Sequence, residues 1–237
     1  MKKNRFARLS KPETWRVSTV KLLFALILLF AVTPFVEGLP NGDFVESGLV
    51  TLVMLASLVA VGRDRRVLMS AAVLFIPAIA SKWLNHFFPN YVSPLIFPVF
   101  GIAFFAFTIN RILRFILQTT HVDTEILSAS IVVYLMLGIL WAQAYMLLAQ
   151  LTPNAFHFPF AEHSERHMGG FNAFYFSFST LTTVGFGDIT PMSRIARTLA
   201  VMEAATGTLY LAILISRLAG MYSPDAGADL PEKSQKR

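Results

Sequence analysis

Six long apolar stretches alternate with short polar stretches along the chain. Each has about the 20 residues that a helix needs to cross the hydrocarbon core of a bilayer, or falls a few residues short. They predict six membrane-spanning helices over residues 22–36, 47–62, 67–84, 91–110, 126–151 and 198–218. We therefore expect an all-α integral membrane protein.

The composition agrees with the membrane class. Of the 237 residues, 55% are hydrophobic and 14% are charged, which is too apolar for an ordinary soluble domain. Cysteine is absent, which excludes disulfides, thiolate metal sites and cysteine catalysis. The net charge of +6 would indicate nucleic acid in a soluble protein, but here the basic residues flank apolar spans and report topology. We expect no nucleic-acid partner, no enzymatic activity and no bound cofactor.

The basic residues predict the orientation of the six spans in the bilayer. Four of the 20 lysines and arginines fall on one side, namely Lys82, Arg166, Arg194 and Arg197. The others fall on the opposite side, which the positive-inside rule makes cytoplasmic, together with both termini. The first span lacks a small-x-small cleavage site, so we expect an uncleaved, multi-pass protein of the cell membrane, in bacteria the inner membrane.

The spans divide the chain into four parts. Residues 1–21 form a basic cytoplasmic segment, residues 22–118 hold the first four helices, residues 119–222 hold the last two, and residues 223–237 form a short cytoplasmic tail. A tail of this length is too short to fold into a ligand-sensing domain, so we expect no control by a fused domain. The sequence leaves open whether an unidentified regulatory partner binds the protein.

A run of threonine and glycine, TTVGFGD at residues 182–188, lies between the fifth and sixth spans. The aromatic piece before it, FNAFYFSFSTLTT, is apolar but too short to span, which fits a re-entrant half-helix. Irregular backbone at membrane depth is tolerated where it is buried in protein or lines a watery cavity. Consecutive carbonyl groups can point the same way if some residues have positive φ, which Gly185 and Gly187 adopt at little cost.

Four copies of this segment around one axis would present stacked rings of carbonyl oxygens from Thr183, Val184, Gly185 and Phe186. Such rings can replace the water shell of a dehydrated cation, with the Thr183 hydroxyl as a lower ring. One chain supplies a quarter of each ring, so we expect a homotetramer. The re-entrant helix of each chain would point the negative end of its dipole toward the central cavity.

The order Thr-Val-Gly-Phe-Gly-Asp after an aromatic half-helix resembles the selectivity filter of potassium channels. The resemblance extends from about Phe171 through ISRLAG, and it is to the two-transmembrane-plus-pore module of bacterial ion channels. It covers the last two spans and hardly extends to the first four. It implies a tetrameric, potassium-selective pore with K⁺ at the carbonyl rings, a filter at residues 183–187, and a glycine hinge in the inner helix. Phe186 stands where tyrosine is commoner, a variation found within the family.

Several residues near the filter are candidates for supporting roles. Asp188 at the outer mouth can attract cations and accept hydrogen bonds behind the filter. Many relatives place an acid or a tryptophan in the pore helix as the partner of this aspartate, and in this chain Ser179 and Tyr175 occupy those positions. Thr182, at the end of the pore helix, is a third candidate for support. The rear support of the filter therefore differs from that of many relatives.

Two residues of the sixth span carry alternative interpretations. Glu203 is the one ionisable residue in the apolar core of that span. One interpretation is a role in gating or ion binding. The other is that a protonated or hydrogen-bonded carboxyl ties the span to the pore helix. Gly207 is either the hinge that the family implies or a site of close helix packing. Below it, Thr208, Ala212 and Ser216 share one face and could line the cavity, with Leu211 and Ile215 as the alternative face.

The outer loop before the pore helix contains His157, His163 and His167. The spacing of the last two could bind a metal or sense external pH, although most loop histidines do neither.

The sequence favours passive, K⁺-selective conduction. A non-selective cation channel, a potassium transporter subunit and a non-conducting regulatory membrane protein are the alternatives. A voltage sensor is not expected, because the predicted fourth span contains no lysine or arginine, and Arg111 and Arg114 follow it at its cytoplasmic end.

Overall fold

Seven helices and a two-stranded ribbon make up the described part of this computed structural model, which comprises residues 13–36, 39, 41–61, 65–88, 91–119, 123–159 and 167–222. The helices are α1 (Glu13–Val36), α2 (Gly42–Ala60), α3 (Arg65–Phe87), α4 (Ile96–Gln118), α5 (Thr124–Leu151), α6 (Gly170–Leu181) and α7 (Arg194–Tyr222). The predicted tail, most of the basic N-terminal segment and His163 lie outside the described residues.

The lengths of these helices confirm the predicted membrane architecture. Six of them, α1 to α5 and α7, are long and apolar enough to cross a bilayer. The 12 residues of α6 rise by about 18 Å, well short of the roughly 30 Å hydrocarbon core. The chain is therefore an all-α membrane protein with six spans and one short helix between the last two.

Several helices extend beyond the predicted spans and include charged residues, as α4 and α2 illustrate. Helix α4 extends to Gln118 instead of ending at residue 110, because the apolar pattern continues without a helix breaker, so Arg111 and Arg114 lie inside the helix and not in a linker. Helix α2 begins at Gly42, so Asp43 and Glu46 belong to its first turns and not to a loop. Carboxylates in the first turn are favoured by the positive end of the helix dipole.

Helix α5 joins the first four helices to the rest of the chain. It begins after Asp123, whose carboxylate accepts hydrogen bonds from the backbone N–H groups of Glu125 and Ile126 at 3.1 Å. Along its length α5 packs against α1 and α4 on one side and against α6 and α7 on the other. Val132, Val133 and Met136 of α5 are fully buried in the main apolar core. The short helix α6 therefore packs between α5 and α7.

Candidate ion-selectivity filter

The backbone of the filter segment, residues 182–188, alternates in handedness. Thr183, Gly185 and Gly187 have φ values of 62°, 55° and 81°, whereas Val184 and Phe186 between them are not in the positive-φ region. An extended strand turns successive carbonyls to opposite faces, and this alternation turns them toward one side. The predicted positive φ at both glycines is confirmed. Positive φ at Thr183 was not predicted, because non-glycine residues rarely adopt it.

The backbone N–H groups of residues 182–185 donate hydrogen bonds to carbonyl oxygens of α6, whereas the carbonyl oxygens of residues 183–186 accept none from the described residues. Val184 N and Gly185 N both donate to the carbonyl oxygen of Ser179, at 2.9 and 3.0 Å. Among the hydrogen bonds between described residues, none uses the carbonyl oxygens of residues 183–186 as acceptors. These residues are also exposed in the single chain. Four consecutive carbonyl oxygens are therefore free to coordinate a ligand.

The side chain of Phe186 packs onto the helix behind the filter segment. Its ring stacks on that of Tyr175 with centroids 6.0 Å apart and planes 11° from parallel. Tyr175 is stacked in turn on Phe171, at 5.9 Å. This packing fixes the Phe186 ring on the pore-helix side and leaves the main chain of the segment to face any ion.

Asp188 is held at the end of the filter segment through both carboxylate oxygens. The Tyr175 hydroxyl donates to one oxygen at 2.6 Å, and the backbone N–H of Ile189 donates to the other at 3.0 Å. The Ser179 and Thr182 hydroxyls instead donate to carbonyl oxygens of their own helix. Of the three predicted support residues, Tyr175 is thus the one whose side chain reaches Asp188, and Ser179 acts through its backbone carbonyl.

The chain leaving the filter segment is fastened to the outer loop. Strands β1 (Phe156–His157) and β2 (Thr190–Pro191) pair in antiparallel fashion, and Met192 N donates to Ala155 O at 2.8 Å. Ser193 then caps α7, accepting a hydrogen bond from Ala196 N at 3.0 Å. The filter segment is consequently anchored at both ends, to α6 before it and to this ribbon after it.

Glu203 of α7 lies in a fully buried contact among three helices. Its carboxyl oxygens are each 2.5 Å from a hydroxyl oxygen, one of Tyr145 on α5 and one of Ser177 on α6. Ser177 Oγ also lies 2.7 Å from the carbonyl oxygen of Gly138 on α5. The predicted alternative in which Glu203 ties the last span to the pore helix agrees with this contact. Tyr145 and Ser177 were not predicted as partners of Glu203. The one feature of the sequence that could have indicated them is a hydroxyl group within an apolar helix.

Gly207 lies where α7 crosses the end of α6. A Cβ atom at this position would be 2.3 Å from the carbonyl oxygen of Leu181 and 2.9 Å from its side chain. No ordinary side chain fits there, so glycine is required for packing. Close packing is the alternative that the structure supports for Gly207.

Two phenylalanines of α6 contact the first helix of the chain. The ring of Phe30 on α1 lies edge-on to Phe174 and Phe178, with centroids 4.5 and 4.6 Å away. Phe178 approaches α5 so closely that a Cβ on Gly138 would be 2.1 Å from its ring. Helix α1 therefore contacts the pore helix directly, which the sequence did not predict.

The remaining predicted residues lie apart from these contacts. Both candidate cavity faces of α7 are exposed in the single chain, so the choice between Thr208, Ala212 and Ser216 on one side and Leu211 and Ile215 on the other stays a prediction. His157 and His167 are exposed, and the described residues contain no group of three metal-ligating side chains.

Comparison with known proteins shows what this region resembles. Residues 126–223, from α5 through α7, match the family model described as ion channel. The inward rectifier potassium channel Kirbac3.1 of Paramagnetospirillum magnetotacticum is 33% identical over 96 residues, which is 40% of this chain and 29% of that protein. Two-pore potassium channel 4 of Arabidopsis thaliana is 40% identical over 47 residues, 20% of this chain and 16% of that protein.

The similarity is confined to part of each protein. The chain spans less than a third of the length of these two curated relatives. No solved structure matches the chain significantly. Within those limits, residues 126–223 resemble the pore module of ion channels, in a multi-pass membrane protein with sequence similarity to potassium channels.

Proposed function

We propose that the protein is a potassium-selective channel in which four chains conduct K⁺ passively through one central filter. The observation that carries this proposal is the free carbonyl ladder at Thr183, Val184, Gly185 and Phe186, produced by alternating backbone handedness. Carbonyl rings of this kind replace the hydration shell of a cation. The similarity to two proteins named as potassium channels supports K⁺ as the permeant ion.

The geometry of one chain supports assembly with further copies, which we propose to number four in total. A single filter segment supplies one side of a coordination shell, so rings of carbonyls require further copies around an axis. Large apolar residues of α7 and the filter segment are exposed in the single chain, among them Val184, Phe186 and Val201. Such surfaces in a channel are covered by neighbouring chains or by lipid.

Discrimination among cations would come from the number, spacing and dipole strength of the carbonyls. Helix α6 ends at Leu181, directly before the filter segment, so its negative end lies at the inner side of the filter and favours a cation there. By the positive-inside rule both termini are cytoplasmic, and the filter segment lies in the outward-facing connection between α5 and α7.

Replacement of Gly185 by alanine tests the filter. Its φ of 55° lies in the left-handed region, where a Cβ costs about 1–2 kcal/mol per chain, repeated in each copy of a tetramer. In liposomes loaded with K⁺ or Na⁺, we expect Gly185→Ala to lose K⁺ flux or its preference over Na⁺. Gly48→Ala is the matched control, because a Cβ there meets nothing within 4 Å and the φ is ordinary.

Three outcomes of the flux assay contradict the proposal. Equal K⁺ and Na⁺ flux through the parent would indicate a non-selective cation channel. Absence of flux from properly assembled protein would indicate a regulatory membrane protein. Unchanged K⁺ preference in Gly185→Ala would show that the filter lies elsewhere.

A further inference from the structure

The three-helix contact around Glu203 is a fully enclosed polar site. Glu203, Tyr145 and Ser177 have relative exposures of 0%. They come from α7, α5 and α6, and the sequence separations are 58 and 26 residues. Among the described residues, the hydrogen-bond partners of Glu203 are hydroxyl groups, and no basic side chain forms an ion pair with it. A buried carboxylate without a cationic partner is costly.

Counting hydrogens decides which form of the carboxyl fits this site. Three short oxygen–oxygen contacts must be satisfied: Tyr145 to Glu203, Ser177 to Glu203, and Ser177 to the Gly138 carbonyl. Each contact is within hydrogen-bonding distance, the two to Glu203 being shorter than an ordinary hydrogen bond, and each needs its own hydrogen. A tyrosine and a serine hydroxyl supply two hydrogens in total, and carbonyl and carboxylate oxygens supply none. An ionised Glu203 therefore leaves one contact between two oxygens without a hydrogen.

A protonated Glu203 supplies the missing hydrogen. The acid O–H donates to Ser177 Oγ, the Ser177 O–H donates to the Gly138 carbonyl, and the Tyr145 O–H donates to the other carboxyl oxygen. Every contact then has one donor and one acceptor, and no charge is buried. The donor sequence runs in one direction from α7 through α6 to α5.

This contact bears on the filter through α6. Ser177 lies two residues before Ser179, whose carbonyl oxygen accepts hydrogen bonds from Val184 N and Gly185 N. One turn beyond Ser177, the Leu181 carbonyl packs against the bare backbone of Gly207 on α7. A shift of Ser177 would therefore move the carbonyl group that holds the start of the carbonyl ladder.

We propose that Glu203 is a neutral carboxylic acid that donates to Ser177 and thereby positions the pore helix, making it a positioning residue for ion selectivity. The proposal rests on the proposed function for its effect on selectivity. The location of the proton, however, is independent of whether the protein conducts.

Infrared spectroscopy of the purified parent and variants reads the proton directly. Subtracting the Glu203→Gln spectrum from the parent spectrum should reveal the C=O stretch of a protonated carboxylic acid. The matched control is Glu46→Gln, because Glu46 pairs with Lys82 at 2.9 Å and should yield carboxylate bands instead. Ser177→Ala keeps the acid but removes its acceptor, so the same acid band should move to higher frequency. Carboxylate bands in the Glu203→Gln difference, or no shift in Ser177→Ala, would overturn the proposal.

Selectivity measurements test the positioning role. The amide of Glu203→Gln can donate to Ser177 and accept from Tyr145, so this variant should keep most of the K⁺/Na⁺ permeability ratio. Glu203→Ala should lower the ratio by about tenfold, which corresponds to ~1.4 kcal/mol. Loss in Glu203→Gln as large as in Glu203→Ala, or an unchanged ratio in Glu203→Ala, would contradict the role. If the parent itself fails to select K⁺, the proposed function fails, while the infrared result still decides the protonation of Glu203.

Discussion

At the residue scale, the candidate filter depends on backbone conformation more than on side-chain chemistry. Three alternate residues with positive φ leave the carbonyls of residues 183–186 free, while the N–H groups of Val184 and Gly185 are taken by Ser179. The side chains act behind this backbone. Phe186 stacks on Tyr175, and the Tyr175 hydroxyl donates to Asp188 at 2.6 Å.

Removal of the Tyr175 hydroxyl tests the support behind the outer mouth. Tyr175→Phe keeps the ring stack on Phe186 and deletes the hydrogen bond to Asp188, a charge-assisted bond worth about 1.5–3 kcal/mol. We expect K⁺ current through this variant to decline faster during sustained recording than current through the parent. Tyr91→Phe is the control, because Tyr91 is 87% exposed and lies outside the pore module. Identical decay in parent and Tyr175→Phe would contradict the role of this bond.

Sequence patterns predicted some of these residues and could not predict others. Positive φ at Gly185 and Gly187 follows from the absence of a Cβ. Tyr175 was a candidate because it occupies a pore-helix position where many potassium-channel relatives place an acid or a tryptophan. Thr183 gives no such local signal, since its conformation is imposed by the hydrogen bonds on either side of it. The pairing of Tyr145 with Glu203 joins residues 58 apart, and it depends on how α5 and α7 cross.

At the element scale, the pore helix α6 is held from three sides. On α5, the absence of a side chain at Gly138 leaves space for the ring of Phe178. Glu203 and Gly207 of α7 and Phe30 of α1 contact the other sides of α6. Hydropathy predicted the existence and type of all six spans, because burial in lipid leaves a long apolar run. Helix ends were less predictable, because a charged residue such as Arg111 interrupts an apolar run without ending the helix.

The contact between α1 and α6 should matter for conduction. Phe30→Ala removes two edge-on ring contacts, each worth about 0.5–1.5 kcal/mol beyond buried area, and leaves space beside the pore helix. We expect a lower melting temperature and a weaker preference for K⁺. Phe24→Ala on the same helix is the control, because its ring is 68% exposed in the single chain. Equal effects of the two substitutions on melting temperature and K⁺ preference would show that the contacts of α1 do not stabilise the position of α6.

Helix α4 should respond shallowly to voltage. Moving one charge through the full potential is worth about 2.3 kcal/mol per 100 mV, and steep gating uses roughly 3–4 charges per subunit. Arg111 and Arg114 lie in the last two turns of α4, toward its predicted cytoplasmic end. The end of α4 is also held, since Arg217 of α7 donates to the carbonyl oxygens of Leu117 and Thr119 at 2.9 and 3.0 Å.

The voltage prediction is tested by conductance–voltage curves of the parent and of Arg111→Gln/Arg114→Gln. We expect shallow curves of similar slope for both, with the substitutions affecting topology or expression more than gating. A steep curve in the parent that is flattened in the double variant would assign α4 a voltage-sensing role.

At the scale of the whole molecule, the described chain is one subunit of a proposed fourfold pore. The family match covers residues 126–223. Of the four preceding helices, α1 and α4 pack onto α5, and α1 also contacts α6. The tetramer predicts that crosslinking or native mass measurement in detergent yields four chains. A monomer that conducts K⁺ would contradict it.

The reversal potential of the purified channel in a planar bilayer tests the central claim most directly. With K⁺ as the main cation on one side and Na⁺ on the other, a carbonyl-lined K⁺ filter predicts a large potential of the sign set by K⁺ moving down its gradient. When the two solutions are exchanged, the potential should reverse its sign and keep its size. A reversal potential near zero under these conditions would show that the pore does not distinguish K⁺ from Na⁺, and would contradict the assignment of residues 183–187 as a potassium filter.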